Sequence, residues 1–373
     1  MSKKEEKLNV LSAYIPYRKK VGNTDHSYMS NYANLEKVDK KVNVKENTHI
    51  ISNILHHVGF YVKRAGDKMG VKSELRKSIL KRIFVFPSAT RDTEVIISRL
   101  FYPTFVFCSL PLVWHAGFST NEYVGVSSVK ERLDSVRASI SKYMKTEYTI
   151  FSTKESISRF YDIAPKEVQN KIVYAPYFLP NVEPVGRRLI EKKFFEFRPI
   201  KISFVGSDGI RKGVQNLVRA LNIISKEYPN MKKKLEVSIV TKTEVGSCDI
   251  DVEKYDHLSH NRVLRLLRNS HVFCMPTLRD SYGLVYVEAM ASGCAVVADD
   301  SPVREEILDG GDAGLLSNPH DPDDIADKLI TLIHSPEYAK KLAMRARDRF
   351  QRRYHWKPVG EKYVDLLRRA SSN

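Results

Sequence analysis

From residue 200 to about residue 335 the chain alternates short runs of β-branched and apolar residues with segments whose apolar residues recur at helical spacing. That alternation is the pattern of βαβ units, in which strands run parallel and are buried on both faces by helices. The first unit reads as a strand at Ile202-Ser-Phe-Val205, a turn from Gly206 to Gly213, and a helix that carries Val214, Leu217, Val218, Leu221 and Ile224 on one face. A second strand spans Leu235 to Val240; a loop, a helix through Val263, Leu264 and Leu267, and a third strand from His271 to Pro276 follow. Thr277 to Val285 reads as a loop before a helix around Glu288 to Ala291, which Gly293 ends, and the strand Ala295 to Ala298 comes next. Ser301-Pro302 and Asp321-Pro322 each put a capping side chain ahead of a proline at the first helical position, so two further helices begin there. The spacing therefore predicts an α/β, Rossmann-type domain in this half.

A chain of 373 residues is long for one core, and two domains are expected. Residues 1–185 have irregular spacing, with a strand-like run from Leu8 to Ile15, a polar segment from Val21 to Asn47 and a helix around Ile50, Ile51, Ile54 and Leu55. Residues 186–199 read as the interdomain linker, 200–355 as the second domain and 356–373 as a last amphipathic helix and tail. Sixty-one Lys and Arg against 44 Asp and Glu leave a net charge of +17, which favours anionic partners without choosing one. Four cysteines with no Cys-x-x-Cys pair suit a reducing compartment. The charged N-terminus lacks the apolar core of a secretion signal, and the most apolar stretch, Phe101 to Trp114, is short for a span and holds Pro103 and Pro111. A cytoplasmic location is expected; Tyr17 to Lys20 and Arg345 to Arg369 leave peripheral contact with an anionic cytoplasmic membrane face open.

Ligands of parallel α/β domains sit beyond the carboxyl ends of the strands, where helix N-termini offer free amides. Two loops are so placed. Gly206 to Gly213 allows close backbone approach through its glycines and brings Arg211 and Lys212 to where a diphosphate would lie, although neither the Gly-x-Gly-x-x-Gly spacing nor a P-loop Lys-Ser/Thr is present. The second loop, Pro276 to Gly293, sets Asp280 before a strand-to-helix turn and Glu288 eight positions on, inside the helix. The two carboxylates can hold opposite ends of one ligand, with the amides of Ser281, Tyr282, Gly283, Leu284 and Val285 aimed between them, a set suited to sugar and ribose hydroxyls. Spacing alone equally allows two ordinary acids, one of them answering the helix dipole. Asp321-Pro322-Asp323 reads as an N-cap rather than a metal motif.

This stretch resembles the signature of retaining glycosyltransferase family 4: an acid, seven residues and a Glu, with Phe-Gly after the acid and Ala-Met-Ala-x-Gly after the Glu. Gly283, Glu288, Ala289, Met290 and Gly293 match; Asp280 stands for the usual Glu and Tyr282 for the usual Phe. The similarity runs from about Thr149 to Trp356, including Val205-Gly206 with Lys212-Gly213, Glu305-Glu306 and Gly314-Leu315. Ser207 takes the place of a common Arg, and Tyr14 to Asn47 holds a single glycine where members carry a glycine-rich loop. The resemblance implies the GT-B fold, with two Rossmann-like domains facing across a deep cleft and a C-terminal helix crossing back to the N-terminal domain. It implies transfer of a hexose, with retention, from a UDP- or GDP-sugar to a glycan or lipid-linked acceptor, without cofactor or metal.

By the same resemblance Asp280 would hold the donor sugar, Glu288 the ribose, and Arg211 and Lys212 the diphosphate. His115 falls where members carry a histidine that faces the donor. The base would meet the backbone around Thr241 and Lys242 and the His257-Leu258 loop. Two other classes stay open: a catalytically silent relative that binds nucleotide or glycan, and a polyanion or nucleic-acid binder drawing on the +17 charge, for which no reading module or aromatic-laced basic stripe is found.

Overall fold

The computed structural model describes residues 7–13, 35–46, 95–99, 112–116 and 147–372, apart from 163, 178 and 197–198. Their strands form two six-stranded sheets in which every pair is parallel. The first takes β1 (Leu8–Ala13), β2 (Val42–Glu46), β3 (Val95–Arg99), β4 (Leu112–Ala116), β5 (Tyr148–Phe151) and β6 (Ile172–Tyr174) in the order β2-β1-β3-β4-β5-β6. The second takes β7 (Ile200–Val205), β8 (Leu235–Val240), β9 (Val252–Tyr255), β10 (Val272–Met275), β11 (Ala295–Asp299) and β12 (Leu315–Ser317) in the order β12-β11-β10-β7-β8-β9. That is the doubly wound Rossmann order, and its strand sequence reverses between β7 and β10.

The helices, in chain order, are α1 (Leu35–Val38), α2 (Lys154–Tyr161), α3 (Lys166–Gln169), α4 (Arg187–Phe195), α5 (Val214–Glu227), α6 (His260–Asn269), α7 (Leu284–Ala291), α8 (Pro302–Leu308), α9 (Pro322–His334), α10 (Pro336–Arg349) and α11 (Trp356–Ser372). The larger core lies around the second sheet, where β10 and β11 are buried at every position, as strands covered on both faces must be. A smaller core joins Leu8, Leu35, Val42, Ile150 and Ala175 to Val359, Tyr363, Val364 and Leu367 of α11. The helix that follows the second domain thus closes the core of the first.

Several expectations need correction. The segment 186–199 is no free linker: α4 buries Ile190 and Phe194 in the larger core, and Ile190 fills the space beside Gly293. Lys193, on the same helix, donates to the carbonyls of Ser270 and Ser292, the caps of α6 and α7, so one ammonium answers two helix C-termini. β9, expected as loop, is an edge strand that pairs with β8 alone, so its Val-Glu-Lys-Tyr alternation carries few apolar residues. Leu284 and Val285 belong to α7 rather than to the loop before it. Ser301 occupies the cap position of α8 without a side-chain cap bond, whereas Asp321 accepts from the amides of Asp323 and Asp324.

The basic run from Arg345 to Arg369 is largely engaged within the chain: Arg347 donates to Val185 O, Arg349 to Ile307 O, Arg353 to Tyr174 and Arg368 to Asp39. Among the described residues no helix is long and apolar enough to cross a membrane. Tyr17 to Lys20 and the helix expected around Ile50 lie outside the described residues.

Candidate active site

The carboxyl ends of β7 and β10 meet at the reversal of strand order, and two loops leave from there. Gly206 to Gly213 turns back toward α5, with Gly213 as its cap at φ +79°; a Cβ at Gly213 would come within 1.8 Å of Pro276 O, so only glycine fits there. The amide of Gly209 donates to Thr243 Oγ1 and that of Lys242 to Ser207 O, which ties the glycine loop to the end of β8. The backbone of Arg211 accepts from the amides of Leu278 and Arg279, and its Nη1 donates to Arg279 O at 2.8 Å, lacing the first loop to the second.

Asp280 lies at the centre of this lacing. Lys212 Nζ ion-pairs with its Oδ2, Arg211 Nη1 lies 3.4 Å from Oδ1, and Arg304 Nη2 lies 3.6 Å from Oδ2. Burial alone would push the carboxyl upward, but Lys212, Arg304 and Arg211 together outweigh it and hold it below the usual carboxylate range. Arg304 is fully buried; its Nε meets Asp299 Oδ1 at 3.1 Å, its Nη1 donates to Tyr282 O at 2.6 Å, and its guanidinium lies 4.6 Å above the Tyr286 ring. Tyr286 Oη reaches Asp299 Oδ1 and Met275 O, so the phenol, Asp299 and Arg304 brace one another beneath the second loop.

Gly283, at φ +74°, caps α7, and a Cβ there would strike the Tyr286 ring and approach Asp280 Oδ2 to 2.9 Å. Beyond it the first-turn amides of Leu284 and Val285 have no helical acceptor and face the anion-favouring end of the dipole. Ser281 donates its amide to Asp280 Oδ1, and the buried Tyr282 ring packs edge-on to Tyr177, 4.6 Å between centroids. Glu288, inside α7, is almost fully buried, with Oε1 2.9 Å from His260 Nε2 at the start of α6.

The structure thus brings together Gly206, Arg211, Lys212, Asp280, Ser281, Gly283 and the α7 amides. Thr241 is buried and Lys242 exposed beside the glycine loop; Leu258 is buried and His257 exposed just ahead of α6. His115 stands on β4 of the other sheet, in register with Ile150 and Arg99, and its side chain lies outside the described residues. Sequence reasoning missed Arg304 and His260. Arg304 did leave a trace, for it sits with Val303, Ile307 and Leu308 on the buried face of α8, a charge at a core position. Among the described residues no three His, Cys, Asp or Glu side chains group as a metal site.

The second sheet is thus a doubly wound α/β domain whose switch point, where such domains hold their ligands, carries a cluster of one carboxylate and three cations. Residues 187–349 match the family described as glycosyl transferases group 1. The MMP alpha-(1->4)-mannosyltransferase of Mycolicibacterium hassiacum is 28% identical over 207 residues, 51% of this chain and 48% of that protein. The phosphatidyl-myo-inositol mannosyltransferase of Mycolicibacterium smegmatis is 30% identical over 181 residues, 46% of this chain and 45% of that protein. The chain therefore spans about half the length of the curated relatives it matches.

Whole-chain similarity appears in solved structures. The UDP-forming alpha,alpha-trehalose-phosphate synthase of Burkholderia vietnamiensis superposes with a TM-score of 0.63 over 97% of this chain and 98% of its own, at 12% identity. Anabaena HepE, solved with UDP and glucose, gives 0.60 over 96% and 99%, at 14% identity. At such identities the likeness concerns the fold, and that fold is the GT-B architecture expected from the sequence.

Proposed function

We propose that the chain is a retaining glycosyltransferase that moves a hexose from a UDP- or GDP-sugar to a glycan or lipid-linked acceptor. One observation carries the reading: Arg211 and Lys212 of the glycine loop converge on Asp280, which stands just ahead of the N-terminus of α7, the helix that carries Glu288. A nucleoside diphosphate sugar has hydroxyls at both ends and two negative charges between, and this arrangement matches it part for part. Glu288 would grip the ribose, Asp280 the hexose hydroxyls, and Arg211 and Lys212 the diphosphate. The mannosyltransferases among the relatives support the transfer of a hexose.

In this reading the bond from the anomeric carbon to the diphosphate oxygen breaks, and the acceptor oxygen bonds the same carbon on the same face. The acceptor's proton passes to the departing phosphate oxygen, so no protein nucleophile is required. Fixed cations that stabilise the leaving diphosphate are a large catalytic contribution and take the place of a metal ion. His115 would face the donor from the first domain, and the acceptor would enter from that side. Peripheral contact with an anionic membrane face belongs to the same proposal.

The test is thermal stabilisation by UDP, GDP, ADP and their sugar conjugates. Saturation at about a hundred times the dissociation constant adds about 2.7 kcal/mol to the folded state. One nucleotide series should raise the melting temperature, and Glu288→Ala should abolish the rise. No shift with any of them overturns the reading.

A further inference from the structure

Asp280 has three cationic neighbours, but they are not equivalent. Lys212, itself buried, and the partly exposed Arg211 belong to the glycine loop, and on the donor reading above, on which this inference rests, they turn to the diphosphate. Their departure would leave a largely buried carboxylate short of charge, a costly state. Arg304 differs. It comes from α8, is fully inaccessible to solvent, and is pinned by Asp299 at Nε, by Tyr282 O at Nη1 and by the Tyr286 ring beneath it. Its remaining nitrogen, Nη2, has no hydrogen-bond partner among the described residues and lies 3.6 Å from Asp280 Oδ2. A guanidinium held at three points cannot follow the ligand.

We infer that Arg304 is a positioning residue: the standing counter-ion that keeps the Asp280 carboxylate paired and aimed at the donor sugar once Lys212 and Arg211 have turned to the diphosphate. Arg304 touches neither donor nor acceptor; it acts through Asp280.

The experiment measures dissociation constants of UDP-glucose against UDP, and of GDP-mannose against GDP, between pH 7 and pH 5, for the unsubstituted chain, Arg304→Gln and Arg304→Lys. The bare nucleotides bypass Asp280, so their affinity should stay within about twofold in every variant. In Arg304→Gln the sugar nucleotide should lose about tenfold relative to its nucleotide, as expected when a charged hydrogen-bond acceptor loses its support. The deficit should widen toward pH 5 as Asp280, without its standing cation, takes up a proton, and Arg304→Lys should restore part of it. Equal weakening of nucleotide and sugar nucleotide, or an unchanged ratio at all pH values, overturns the assignment. Should Arg304→Gln fail to fold, Asp299→Ala removes the acceptor that pins the guanidinium at Nε and must reproduce a smaller loss with the same pH sense; an unaltered ratio there overturns it too. If the unsubstituted chain binds neither pair, the donor reading itself falls, and the role of Arg304 with it.

Discussion

His271 is a neutral imidazole built into the second domain. Its Nδ1 accepts the amide proton of Lys201 at 2.9 Å, so Nε2 must carry the ring's proton, which it gives to Lys193 O at 2.9 Å. Burial, with Lys193 and Lys201 nearby, pushes its pKa down to about 4 from an ordinary 6.5. Between those values the unfolded chain binds a proton that the folded one refuses, so stability falls as pH drops through this window. The loss from this one group should reach about 2 kcal/mol by pH 5. Denaturant unfolding at pH 7, 6 and 5 checks it: His271→Gln, less stable at pH 7, should show a shallower decline, and parallel declines would refute the assignment. At this scale Lys212, Asp280 and Gly283 could be placed at one site because the loops that carry them leave the carboxyl ends of neighbouring strands. His260 and Arg304 could not, because what they serve, Glu288 and Asp280, lies more than twenty positions away in the chain.

Among the elements, β10 and β11 were plain because burial on both faces leaves a nearly unbroken apolar run, and β7 and β8 because apolar residues recur at every second position. The edge strand β9 and the helix α4 were not, the first because one neighbour asks little of its side chains, the second because its Arg- and Lys-rich surface hides Ile190 and Phe194. Those two residues are four apart, which is the helical signal a linker assignment overlooked. The start of α9 shows the converse, a cap legible to the residue. Asp321 Oδ1 accepts from Asp323 N at 3.0 Å with Pro322 at the first helical position. Asp321→Ala should cost about 1 kcal/mol in denaturant unfolding. Asp321→Ser should recover most of it, since a hydroxyl also caps; a metal-ligand role would instead make Ser as damaging as Ala.

At the scale of the whole molecule, the two sheets are joined where the chain crosses between them near residues 180 and 355. There Trp356 Nε1 donates to Glu183 Oε1 at 2.7 Å and His355 Nε2 lies 3.1 Å from Glu183 Oε2. A third tie is made across the chain, where Glu306 of α8 accepts the amide of Lys154 at the N-terminus of α2. The return of α11 has the larger energetic consequence, because Tyr363, Leu367 and Val359 complete a core that otherwise consists of N-terminal residues. Tyr363 is fully buried and donates to Pro176 O, so Tyr363→Ala removes a large side chain from that core and should cost about 3–5 kcal/mol. The loss should fall unevenly. The site at β7 and β10 draws its support from the larger core, to which Tyr363 contributes nothing. In limited proteolysis the variant should therefore be cut first within residues 1–174, while a fragment covering 200–349 persists and the nucleotide-induced rise in melting temperature survives. Simultaneous loss of both regions would mean that the two cores unfold as one unit, with α11 holding the donor site as firmly as it holds the first sheet.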